Sequence, residues 1–235
     1  MSTSPASSGE AIVRIWEEGL AQHALDRPLT FLAVFTGTPR RVLAEMSVER
    51  RDAAILQWRA RLFGDVMAGC ATCPRCEVTV EVTLQVRRVE VPEDRFVVES
   101  EGARLSVRMP TSLDLAAVAG VEDPDDARRQ LLNRCIENSS GQAAGNHDAR
   151  LYEVEQELER RADVSAAVAD VTCPDCGHEW RVELDIAAYA WREVEILAQR
   201  LLRDVDVLAR CYGWSEHDIL ALSPARRRWY LERAS

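Results

Sequence analysis

The sequence predicts an α+β protein in which helical subdomains flank a small antiparallel β unit carrying a split four-cysteine zinc ribbon. Three observations lead there. Ile186, Ala190, Val194, Leu197, Leu201, Val205, Leu208 and Tyr212 recur at steps of three and four, the period of one helix face. Residues 77–91 alternate with period two and are rich in valine and threonine, as a half-buried strand requires. Two Cys-x-x-Cys turns, Cys73-Pro74-Arg75-Cys76 and Cys173-Pro174-Asp175-Cys176, each precede a strand-like run.

Taken in order, residues 1–9 lack the basic and apolar regions of a secretory signal and read as a disordered tail. An N-terminal helical region over 10–69 follows. Ile12, Ile15, Trp16, Gly19 and Leu20 have helical spacing, a second helix runs over Leu29–Phe35 to Gly37, and Ser47 caps a third that stops at Gly64. Residues 70–111 hold the first zinc knuckle and β-strands, including a hairpin of 95–100 with 103–109 around Glu101-Gly102. A helical insertion over 112–162 is opened by Ser112 or Asp114. Asp123-Pro124 starts a helix to about Asn138, the exposed loop 139–149 follows, and Leu151, Val154 and Leu158 mark another helix. The second knuckle and its strand occupy 163–186. The C-terminal helical region, 187–235, ends its long helix at Gly213, and Ser215 and Ser223 cap two short ones.

Composition removes several functions. The 29 basic residues are all arginine, so Schiff-base chemistry and a P-loop, which need lysine, are excluded. A net charge of −10 opposes phosphate neutralisation, so no nucleic acid is expected as a partner. No apolar stretch is long enough for a membrane helix, and a soluble cytoplasmic protein is expected. Seven cysteines without an export signal favour metal binding and isolated thiols over a disulfide framework.

Four thiolates in a tetrahedron suit zinc, and one Cys-x-x-Cys turn supplies two of them. Cys73, Cys76, Cys173 and Cys176 are the predicted ligands of a structural Zn2+. Such a site is closed to substrate, so no catalytic residue, cofactor-binding residue or small-molecule substrate is assigned. Cys70 repeats the spacing with Cys73, and His178 adjoins the second knuckle, so either could substitute as a ligand. Cys135 and Cys211 read as buried thiols within helices. The run Glu122–Asp126 reads as a helix N-terminus, and Arg226-Arg227-Arg228 as a solvated face or a contact for an acidic partner. A thioredoxin-like dithiol is a competing reading of one pair, but such a pair opens a helix.

The C-terminal run from Leu208 to Leu222, with Tyr212-Gly213-Trp214-Ser215 and Ile219-Leu220, is followed by Arg226-Arg227-Arg228-Trp229-Tyr230-Leu231. This ending, with the cysteine strands and Leu105–Thr111, resembles the T4-like phage baseplate and baseplate hub assembly protein family of contractile phage tails and phage-derived contractile injection systems. The resemblance spans most of residues 40–235. It implies a structural or assembly (chaperone-like) role without catalysis, with other baseplate or hub and spike proteins as partners. The alternative is a zinc-ribbon nucleic-acid-binding regulator, which the net charge opposes.

Overall fold

The computed structural model describes residues 9–85, 91–100, 102–141, 147–162 and 167–234. Residues 1–8 of the expected tail, the end of the long strand at 86–90 and residues 142–146 of the expected loop lie outside them. In chain order the elements are α1 (Gly9–Leu20), α2 (Arg27–Thr36), α3 (Arg40–Ala44), α4 (Val48–Phe63), β1 (Val66–Thr72), β2 (Thr79–Gln85), β3 (Arg95–Ser100), β4 (Ala103–Arg108), α5 (Ser112–Val118), α6 (Pro124–Cys135), β5 (Ile136–Gly141), α7 (His147–Ala162), β6 (Val168–Thr172), β7 (Glu179–Glu183), α8 (Ile186–Tyr212), α9 (Glu216–Ala221) and α10 (Pro224–Leu231). The fold is α+β, and among the described residues all strand pairings are antiparallel. Contacts divide the chain into two units, one formed by residues 1–40 with 187–235 and the other by residues 41–186.

The first unit is helical. Along α8 the expected stripe is buried at Ala190, Val194, Leu201 and Leu208, joined by Ala198. Gly19 is there because α1 approaches α8 closely: a methyl at that position would come within 2.3 Å of the Trp191 ring. The Arg27 guanidinium lies 4.6 Å over the same ring and donates to the Gly19 carbonyl at 3.1 Å. Gly213 ends α8 with φ +70, and the Ser215 and Ser223 hydroxyls accept from the backbone N–H of Asp218 and Arg226. Two expectations fail here. Arg227 is not part of a solvated face, being buried with its Nε donating to Asp204 at 3.0 Å. Cys211 is exposed rather than buried, because the α8 stripe places Leu208 inward and Cys211 beyond it.

In the second unit, the β3–β4 hairpin falls where the sequence places it, and β5 completes a three-stranded sheet of order β3-β4-β5. Phe96 and Val98 of β3 and Leu105 and Val107 of β4 form one core with Leu132 and Cys135 of α6 and Leu151 and Val154 of α7. Helix α6 stops at Cys135, short of the expected Asn138, because Ile136 turns extended and pairs with Val107. The start of the polar run that reads as loop, Ser139-Ser140-Gly141, is instead part of strand β5, whose register is held by β4 rather than by its own composition.

Asp114 anchors this unit. It is 1% exposed, and its carboxylate accepts from Arg108 Nη1 and Nη2 at 2.5 and 3.0 Å, from Arg134 Nε at 2.9 Å, and from Thr111 N and Oγ1 at 2.9 and 2.7 Å. Thr111, not Ser112, is the N-cap of α5, in a reciprocal capping box with Asp114. Burial opposes the Asp114 charge, but the Arg108 and Thr111 hydrogen bonds outweigh it and hold its pKa well below the usual carboxylate range. Ser47 occupies the N-cap position of α4, but its hydroxyl donates to Asp94 at 2.9 Å rather than capping the helix.

Candidate metal centre

Both Cys-x-x-Cys pairs lie in the turns of antiparallel hairpins, β1–β2 and β6–β7. The sequence pattern marks only the strand after each pair. The strand before the first is hidden in Val66-Met67-Ala68-Gly69, which has weak β preference and is held by pairing with β2. Arg59 of α4 fixes the entry to β1: its buried guanidinium donates to the carbonyls of Gly64 and Val66 at 2.6 and 2.8 Å.

The two turns are copies down to their hydrogen bonds. Cys73 N donates to Val78 O at 2.9 Å and Glu77 N to Cys73 O at 2.9 Å; Cys173 N donates to His178 O at 2.8 Å and Gly177 N to Cys173 O at 3.0 Å. At the fourth position after the first cysteine the backbone is left-handed in both, with φ +68 at Gly177 and φ +61 at Glu77. Gly177 fits without strain. Glu77 is the one non-glycine residue with positive φ among the described residues, and its side chain carries the steric cost that glycine avoids.

Strand β2 lies against β6, which brings the turns together. The Sγ atoms meet crosswise, Cys73 with Cys176 at 3.7 Å and Cys76 with Cys173 at 3.5 Å, and all four lie within 4.8 Å of one another. Cys73 and Cys173 are buried, and Cys76 and Cys176 are half-buried. Neither pair opens a helix, as a thioredoxin-like dithiol does. Cys70 is exposed on β1 and His178 stacks near Trp180 with centroids 6.0 Å apart; neither belongs to the cluster.

The donor set and its spacing fit a tetrahedral soft metal. Zn–S bonds of about 2.3 Å in a tetrahedron separate sulfurs by about 3.8 Å, and the crosswise pairs stand close to that. Protonation points the same way. Burial would raise the Cys73 thiol, but the backbone N–H groups of Arg75 and Cys76 and the neighbouring sulfurs bring it down to about 7. At Cys76 the Val78 backbone favours the thiolate, yet the sulfurs of Cys173, Cys176 and Cys73 push it up to about 12. One thiolate forms easily and the next is opposed by it, unless a cation compensates.

Among the described residues no helix is long and apolar enough to cross a membrane. Residues 33–144 match the family model of the T4 bacteriophage base plate protein. That segment runs from α2 to beyond β5, and includes the first knuckle, the β3–β4–β5 sheet and the Asp114 anchor. It stops before Cys173 and Cys176 and before the C-terminal run. No curated protein and no solved structure matches the chain. Over residues 33–144, just under half of its length, the chain is thus similar to the T4 bacteriophage base plate protein family.

Proposed function

We propose that this protein is a structural or assembly (chaperone-like) component of the baseplate of a contractile phage tail or contractile injection system, and that Cys73, Cys76, Cys173 and Cys176 hold one structural Zn2+. The observation that carries the role is the base plate family match over residues 33–144. The observation that supports the metal is the four-sulfur cluster. Four thiolates leave a zinc ion no open position for substrate or activated water, so its work is to fasten rather than to catalyse. It joins hairpins whose cysteines are 97 and 103 residues apart, against the chain entropy of closing so long a loop. Partners on this reading are other baseplate or hub and spike proteins.

The test is to tag the chain in its native gene cluster and identify what co-purifies. Baseplate and spike proteins are expected, and particles should fail to assemble when the gene is deleted. Normal particles from the deletion strain would refute the role. Presence in finished particles marks a resident subunit, and presence only in precursors marks a chaperone.

A further inference from the structure

Among the described residues β3 is an edge strand of its sheet, and its outer edge faces a groove rather than another strand. The hydrogen bond from Met109 N to Asp94 O, at 2.9 Å, fixes which backbone groups point where. Bonded pairs alternate in an antiparallel ladder, so with Arg95 opposite Arg108, residues 96, 98 and 100 bond to β4. Val97 and Glu99 therefore turn their N–H and C=O groups outward, and among the described residues no other backbone group meets them. The groove has a volume of about 600 Å³ and runs between this edge and α7. Val97 and Tyr152, 52% and 58% exposed, give it apolar ground. Glu99, Glu153 and Glu157 line it against the single cation Arg160. Glu157 is already held by Arg160 and Arg161 and Glu99 faces Arg104 at 3.5 Å, whereas Glu153 Oε2 is buried with no hydrogen-bond partner among the described residues.

We infer that the outer edge of β3 is a β-augmentation site, which takes an extended basic segment of a partner protein into the groove beside α7. Main-chain pairing to Val97 and Glu99 supplies the hold, as in other edge-strand recognition. An apolar side chain of the segment rests on Val97 and Tyr152, and an arginine or lysine meets Glu153. A second copy of this chain is a poorer occupant, since two such edges would bring two acidic walls together in a protein of net charge −10. The inference rests on the reading that the protein works by binding other proteins, and adds how one is held.

The experiment is selection of a random twelve-residue peptide library against the full chain, followed by binding measurements on the enriched peptides. Sequences alternating apolar with basic residues are expected, and binding should slow amide exchange at Val97 and Glu99. Val97→Pro removes an outward N–H while sparing the β4 ladder, and should weaken binding at least tenfold; Glu153→Gln should weaken it and flatten its salt dependence. If Val97→Pro misfolds, N-methylation of alternate peptide amides tests the same bonds on the unaltered protein and should also cost at least tenfold. Enrichment of acidic or patternless peptides, binding indifferent to N-methylation, or a β3-paired dimer that the peptides do not dissociate would overturn the site. Failure here with baseplate association intact would remove the groove and leave the proposed role standing.

Discussion

Cys173→Ser removes one ligand from the second knuckle, and its cost follows from the topology. Structural zinc contributes about 10–16 kcal/mol to the folding of small zinc-finger peptides. Here the metal must also hold closed a loop of 97 residues between Cys76 and Cys173, which costs about 4–5 kcal/mol. The remainder still exceeds the ~4 kcal/mol that a ligand at a thousand times its Kd provides. Two-stranded hairpins alone are marginal, so β1–β2 and β6–β7 should depend on it. A loss of about 4 kcal/mol in a unit spanning residues 41–186 lowers its Tm by roughly 8–16 °C. Calorimetry with metal analysis is the assay: about one zinc per chain in the unaltered protein, and a matching fall in Tm with a strong chelator or with Cys173→Ser. Melting unchanged by chelation, in protein with less than about a tenth of a zinc per chain, would refute the clamp.

Three further outcomes can be measured. Asp114→Asn should cost about 1–3 kcal/mol in denaturant melts, because it takes the charged acceptor from the half-buried Arg108; the depressed pKa of Asp114 makes its contribution complete above the ordinary carboxylate value and lost as pH falls through the folded one. Glu49 behaves oppositely. Burial raises it from about 4.5 to about 7, so it destabilises the fold increasingly as pH rises through that window, by up to ~3 kcal/mol above pH 7; Glu49→Gln should flatten the stability profile between those values, and an unchanged profile would remove Glu49 as its source. Glu77→Gly should stabilise the metal-loaded protein by up to about 1 kcal/mol by relieving the left-handed backbone, and a loss of stability would show instead that the Glu77 side chain contributes a contact.

The four-cysteine cluster was more legible than the fold around it. A soft-metal site is written in its residue types, so four cysteines at Cys-x-x-Cys spacing stand out in the sequence even across a hundred residues. The β3–β4 hairpin and α8 were legible for a similar reason, since each buries one face and therefore repeats with its own period. The parts missed are those set by neighbours. β1 and β5 pair because partner strands present free edges, and the arginines at 59, 108 and 134 look like any surface charge until the carbonyls and the carboxylate they meet are in place. Glu77 carried no signal at all. Only its alignment with Gly177, four residues after the first cysteine of each turn, marks it in retrospect. The C-terminal ending that prompted the resemblance lies outside the matched segment, whereas Leu105–Thr111 lies inside it.

The crosswise pairing of the knuckles also sets a timetable. Cys73 leaves the ribosome 103 residues before its partner Cys176, and at about 5–20 residues per second the first half-site waits roughly 5–20 s for the second. During that interval two thiols stand open to soft metals and oxidants without the cysteines that pack against them in the folded chain. Helices α1 and α2 wait longer still, since the rest of their unit begins at Ala187. Maturation of both units is therefore tied to the last quarter of the sequence, and a ribosome stalled between the knuckles would release a chain with neither unit finished.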